Sequence, residues 1–205
     1  MSNTTHLTTT GDNPPSGYIL VSNGTGGTNW IEPPKFNYGL FSQIEEGEIV
    51  TGDTEQSIIG NGVGTLTVPS NSFQIGDSFT CTLDGTLSCL NSATLHIHVK
   101  TLDGVILCDT GVIDMDVSGD KPWSLIINFT IRKLGGEEIA SISSGGLFSY
   151  IKDSGTNFEG YVLGTINDTT FDTTIENTLD ITAQWNTAST ENQIQSQNFV
   201  LRKTY

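Results

Sequence analysis

Through most of the chain, apolar and polar positions alternate in short runs. Trp123, Leu125, Ile127, Phe129 and Ile131 fall on odd positions, with Ser124, Ile126, Asn128, Thr130 and Arg132 between them. Successive side chains of a strand point to opposite faces, so a period of two predicts a strand with one dry face and one mostly wet face. Leu179, Ile181, Ala183 and Trp185 repeat the pattern against Thr178, Asp180, Thr182 and Gln184. Leu95, Ile97 and Val99 repeat it against Thr94, His96, His98 and Lys100. Between residues 79 and 89, Phe79, Cys81, Leu83, Gly85, Leu87 and Cys89 share one parity. A two-residue hairpin at Asp84-Gly85 would send the two apolar sets to opposite faces. A three-residue loop would keep parity. One long strand is preferred, with Gly85 as a bulge or a point of close approach. In such a strand Cys81 and Cys89 stand about 26 Å apart at ~3.3 Å per residue, beyond reach of a disulfide.

Leu102-Asp103-Gly104 reads as a three-residue turn with glycine in the left-handed position, returning through Val105 and Leu107. Further strands are predicted near 40–43, 56–59, 65–68, 138–142, 147–152 and 158–166. The final Phe199, Leu201, Lys203 and Tyr205 suggest a C-terminus tied into the sheet. Turn signals stand at Gly60-Asn61-Gly62, Ile75-Gly76-Asp77, Gly135-Gly136 and Ser143-Ser144-Gly145-Gly146. About ten short strands without helical periodicity predict an all-β sandwich or jelly roll.

Residues 1–35 differ from the rest. They hold four of the six prolines, and in GYILVSNGTGGTNWIEPP one apolar clump and a lone Trp30 flank a glycine-rich stretch. A segment so short cannot bury itself, so residues 1–35 read as an arm and 36–205 as the sandwich domain.

Composition is that of an all-β protein with many turns. Charged residues make up 15% of the chain, which is rich in Thr, Ser, Asn and Gly. Eight basic residues against 23 acidic ones give a formal charge of −15. Such a surface repels phosphates, so nucleic acid is not an expected partner, and the acidity reads as a solubility device. The first residues have no basic start and no apolar core, so no secretory leader is expected. No apolar run approaches the ~18 residues of a membrane helix, so no membrane insertion is expected. Cys81, Cys89 and Cys108 are an odd number and read as buried, reduced thiols.

The chain has no Gly-x-Ser-x-Gly, HExxH, Walker or Cys-x-x-Cys motif, so neither an enzyme nor a cofactor is expected. His96 and His98, two apart on one strand face, are the best metal candidates. A zinc site needs three or four ligands, and the other histidine, His6, lies in the arm. Symmetry could complete a site, but outward polar residues without metal are preferred. The acidic run Glu45-Glu46-Gly47-Glu48 lacks calcium-loop spacing and reads as solvated. Trp123 and Trp185 share the inward parity and read as core; Phe148, Tyr150 and Tyr161 remain open. The N-x-S/T triplets at Asn3, Asn23, Asn128 and Asn167 read as composition.

The segment GNGVGTLTVPSNSFQIGDSFTCTLDGTLSCLNSATLHIHVK (60–100), followed by WSLIINFTIRKLG (123–135), NTLDITAQW (177–185) and FVLRKTY (199–205), resembles a domain of virion proteins of large DNA viruses and tailed phages. That resemblance implies a jelly roll of the tumour-necrosis-factor/C1q type. It also implies a homotrimer, a virion location, and a role in capsid decoration or as a fibre or tail head. Gly17, Leu20, Ser22, Gly24, Gly26, Trp30 and Pro33 are similar to a phrase of phage tail-fibre shafts. Tyr18, Ile19, Leu20 and Trp30 would then be attachment residues toward other virion proteins. Leu90, Ile126 and Ile142 are the candidate subunit-interface residues. An alternative is a receptor- or glycan-binding head using loops 153–157, 167–174 and 187–192. A hydrolase on the same scaffold ranks third.

Overall fold

The alternating runs become strands wherever they are sustained. A computed structural model of the protein describes residues 19–22, 27–31, 40–152 and 157–205. The chain divides into two units, Met1–Tyr38 and Gly39–Tyr205. In the first, β1 (Ile19–Ser22) pairs antiparallel with β2 (Thr28–Ile31), setting Leu20 opposite Trp30 and Val21 opposite Asn29. Trp30 is exposed, and Leu20 and Val21 are half-buried.

The second unit opens with four short strands: β3 (Phe41–Gln43), β4 (Gln56–Ser57), β5 (Gly62–Gly64) and β6 (Thr67–Val68). Eight longer ones follow: β7 (Ser78–Cys89), β8 (Thr94–Thr101), β9 (Ile106–Asp114), β10 (Ser118–Lys133), β11 (Ser141–Ile151), β12 (Phe158–Asn167), β13 (Asn177–Trp185) and β14 (Gln193–Lys203). They form an antiparallel seven-stranded sheet ordered β12-β11-β10-β7-β14-β3-β5 and a five-stranded sheet ordered β4-β13-β8-β9, with β6 also beside β13. Cys81, Leu83, Leu125, Ile127 and Phe199 of the first sheet share one buried core with Leu95, Ile97, Val99, Ile181 and Ala183 of the second. The unit is all-β, with the layering of a β-sandwich. Tyr161 donates to the Asp114 carbonyl and the Asn167 amide to the Ile106 carbonyl, linking β12 to β9.

Residues 79–89 lie within one strand, β7. A Cβ on Gly85 would sit 1.9 Å from the carbonyl oxygen of Gln195, so glycine marks a close approach of β14. Trp123 stands opposite Gly85. Its indole N–H donates to the carbonyls of Thr86 (3.0 Å) and Gln195 (3.1 Å). The second bond spans β7, which only a residue without a side chain permits. The Trp185 indole donates to the Val50 carbonyl at 3.0 Å, so both buried tryptophans are satisfied.

Three expectations are corrected. Ser143-Ser144-Gly145-Gly146 makes no turn but runs inside β11. A Cβ on Gly146 would lie 2.2 Å from the Ile126 carbonyl, so this glycine lets β11 lie against β10. The turn comes earlier, where Ala140 N–H bonds the Gly136 carbonyl, and residues 138–140 form no strand. Ile142 is not an interface residue. It takes the inward parity of β11 and is 4% exposed, part of the core. The Leu102–Gly104 turn has Gly104 at φ +92°. Thr204 N–H donates to the Ser78 carbonyl, tying the C-terminal backbone to β7, although the Tyr205 ring is exposed.

Candidate functional site

Two surfaces of the sandwich are organised beyond what folding requires. The first is the outer face of the seven-stranded sheet. Register places Val162, Leu147, Ile126, Thr82, Val200, Ser42 and Val63 in one row across all seven strands. Val162 is 84% exposed, Val63 58%, Ile126 45% and Leu147 43%. One flanking row reads Gly160, Ser149, Ser124, Asp84, Asn198 and the other Gly164, Gly145, Asn128, Thr80, Arg202. These three rows hold two charged side chains, Asp84 and Arg202, of opposite sign, on a chain of formal charge −15. Polar groups pair within the face: Thr80 hydroxyl donates to Asn128 Oδ1 at 2.7 Å and the Asn198 amide to Asp84 at 3.1 Å. Among the described residues nothing lies within 4 Å of a Cβ built on Gly164, and the nearest atom to one on Gly145 is 3.6 Å away. Contacts among the described residues therefore do not require these glycines. A mid-strand glycine without an internal reason suits close approach from outside.

The second surface lies on the five-stranded sheet. His96 and His98 share the outward face of β8, their ring centroids 3.7 Å apart. Opposite them, β9 shifts register between Thr94–His96 and His98. The irregularity is built from Gly111 at φ +60°, whose N–H donates to Asp109 Oδ1 at 2.7 Å, and from the Thr110 hydroxyl, which accepts from Ile97 N–H. Bulges re-aim side chains, and this one aims Asp109 at the histidines. Asp109 Oδ1 lies 3.7 Å from His96 Nε2. On the other side, Glu55 Oε1 is 3.3 Å from His98 Nδ1 and 2.8 Å from Lys100 Nζ, and it accepts the Thr182 hydroxyl. His96 Nε2 and His98 Nδ1 are shut off from water, and among the described residues neither has a hydrogen-bond partner. Burial and the adjacent His96 ring hold His98 below the ordinary imidazole range. Burial pushes the Glu55 carboxyl up. Hydrogen bonds from Lys100 and Thr182, with the nearby charges of His98 and Lys100, outweigh that and leave it below its usual value.

No protein-family model matches the chain. A comparison with curated proteins finds no match. Among solved structures, the chain is similar to the CBM2 module of the evolved Dit of Lactobacillus casei BL23 phage J-1, at 12% identity and a TM-score of 0.27, over 95% of this chain and 93% of that one. A likeness that slight carries no argument about fold or role.

Of the residues singled out from sequence, Leu90 and Ile126 are exposed and Ile142 is buried. Leu20 and Trp30 face each other across the β1–β2 pair, to which Ile19 also belongs, while Tyr18 lies outside the described residues. Trp123, Trp185, Phe148 and Tyr150 are core, and Tyr161 is half-buried. Glu45, Glu46 and Glu48 are exposed, as expected of a solvated loop. Of loop 153–157, residues 153–156 lie outside the described residues. Sequence reasoning missed Leu147, Val162 and Val63 on the apolar row, and Asp109 beside the histidines. Leu147 and Val162 alternate with Phe148 and Leu163, so both parities are apolar there and parity cannot identify the outer face. Asp109 could not be found from parity, because a register shift intervenes.

Proposed function

We propose that the protein is a non-enzymatic virion component: a homotrimeric jelly-roll protein that decorates a capsid or caps a fibre or tail, with an assembly and adhesive role. The observation that carries this reading is the outer face of the seven-stranded sheet. Its apolar row and open glycines, nearly free of charge on a strongly acidic chain, suit contact with further copies of itself. Covering a valine, leucine or isoleucine completely contributes about 1.5–3 kcal/mol, so even partial covering of four such residues favours association. Strand order supports the jelly-roll assignment. β3-β14-β7-β10 in one sheet and β4-β13-β8-β9 in the other require the chain to cross between sheets at β3–β4, β7–β8, β9–β10, β12–β13 and β13–β14, among other places. The β11–β12 hairpin is then an addition at one edge. The number three and the virion location come from the sequence resemblance, as does attachment to other virion proteins through residues 1–35. Antibodies against the chain should label intact particles of the virus that encodes it; labelling of infected-cell extract alone, with bare particles, would refute the virion role.

A receptor- or glycan-binding head is the second reading, favoured by the order of the loop after β12. There Asn167 Oδ1 accepts the backbone N–H groups of Thr169, Thr170 and Phe171, holding exposed Thr169 and Thr170 in place. A glycan array with reproducible hits lost on changing Thr169 and Thr170 would select it.

A further inference from the structure

We infer that His96, His98 and Asp109 form a binding site for a transition-metal cation, zinc(II) foremost, with Glu55 as its outer partner. One ring nitrogen of each histidine and a carboxylate oxygen of Asp109 all lie within 4.8 Å of one another. Tetrahedral zinc, with bonds near 2.0 Å, spaces its ligand atoms about 3.3 Å apart. The 3.7 Å between His96 Nε2 and Asp109 Oδ1 is already close to that, and small side-chain rotations bring in the third ligand.

A second observation points the same way. His96 Nε2 and His98 Nδ1 are buried and among the described residues form no hydrogen bond, although Glu55 Oε1 stands 3.3 Å from His98 Nδ1. Buried polar atoms are normally satisfied, and an orphaned pair aimed toward carboxylates needs an explanation. A cation between them supplies one, because it takes the imidazole lone pairs and neutralises the acid. Two imidazoles with a carboxylate favour zinc, copper or nickel over magnesium or calcium. The supports are preorganised. Asp109 is fixed by Gly111 N–H, and Glu55 by Lys100 and Thr182. Such outer partners orient ligating groups. The third ligand comes from the neighbouring strand of the same chain, not from a symmetry mate, and the fourth position is left to water or an outside donor. The thiols do not compete, since Cys81, Cys89 and Cys108 are all buried.

The test is calorimetric titration of zinc(II) into the chelator-treated full chain, alongside diffraction at the zinc edge. One zinc per chain is expected. His96→Ala should abolish that binding, Glu55→Gln should weaken it about tenfold as loss of an outer partner does, and His6→Ala should leave it unchanged. Equal stoichiometry and affinity in wild type and His96→Ala would overturn the site, as would no binding to wild type. If His96→Ala does not fold, the wild-type anomalous map decides. A peak between the three side chains sustains the assignment, and zinc peaks only elsewhere refute it.

Discussion

Gly85→Ala isolates one physical idea, that a missing side chain lets an indole cross a strand. The new Cβ would stand 1.9 Å from Gln195 O and 2.9 Å from Ser196 Cα. Both are backbone atoms, so no rotamer change relieves the clash. Ordinary C···O contact begins near 3.3–3.6 Å, so β7 and β14 must part by about 1.5 Å. That breaks the 3.1 Å bond from Trp123 to Gln195 O, within a site where Trp123 is 2% exposed. The indole N–H keeps its bond to Thr86 O, so the lost hydrogen bond costs about 0.5–1.5 kcal/mol and the overpacking about 1–3 kcal/mol more. A loss of about 2–4 kcal/mol leaves the domain folded, against a usual total of about 5–15 kcal/mol. At about 2–4 °C per kcal/mol for a domain this size, the melting temperature should fall by about 4–16 °C. The assay is thermal unfolding followed by near-ultraviolet circular dichroism at fixed protein concentration. In a Trp123→Phe background the same substitution has no indole bond to break and should cost about 0.5–1.5 kcal/mol less. A melting temperature within about 1 °C of wild type would refute the apposition of β7 and β14.

Ile142→Ala should destabilise by about 2–4 kcal/mol as a core truncation, measured by urea unfolding, whereas Ile126→Ala should stay within about 0.5 kcal/mol for an isolated subunit. Burial pushes the Cys108 thiol up to about 12 and Cys89 up to about 11, and Cys81 higher still. Thiolate is therefore scarce at pH 8, and a disulfide reagent should label the native protein slowly and all three cysteines at once on unfolding. Lys203 pairs with the buried carboxylate of Asp77 at 2.7 Å, so Lys203→Met should cost about 1–3 kcal/mol in the same denaturation assay, and Asp77→Asn/Lys203→Met together less than Lys203→Met alone.

Strands that face water on one side were readable because parity alone decides their faces. Trp123–Ile131 and Phe79–Cys89 bury every residue that alternation assigns to the core, and Leu179–Trp185 buries all of them but the half-buried Leu179. Glycine was readable in one place and misleading in another. At Gly104 it supplies the positive φ of a turn, while Gly145-Gly146 looks like a turn in sequence but is a flat passage inside β11. Propensity cannot tell those apart, because the reason for Gly146 is a carbonyl on β10, 20 residues earlier in the chain. The same limit hid Ile142, which needed the start of β11 to be placed before its parity had meaning. For the candidate sites, the histidine pair was legible from its spacing. Asp109 was not, because its alignment depends on a bulge in β9. Val162 and Leu147 became a surface only when register set them beside Ile126.

The claim on which the functional reading rests is that the seven-stranded face binds sister chains. Light scattering coupled to size-exclusion chromatography measures this directly, on wild type and on Val162→Asp with its melting temperature checked. The account predicts a wild-type mass near three times the 22.0 kDa of one chain and a folded, single-chain mass for the variant. A wild type that elutes at the mass of one chain at micromolar concentration, or a variant that stays trimeric, would contradict it.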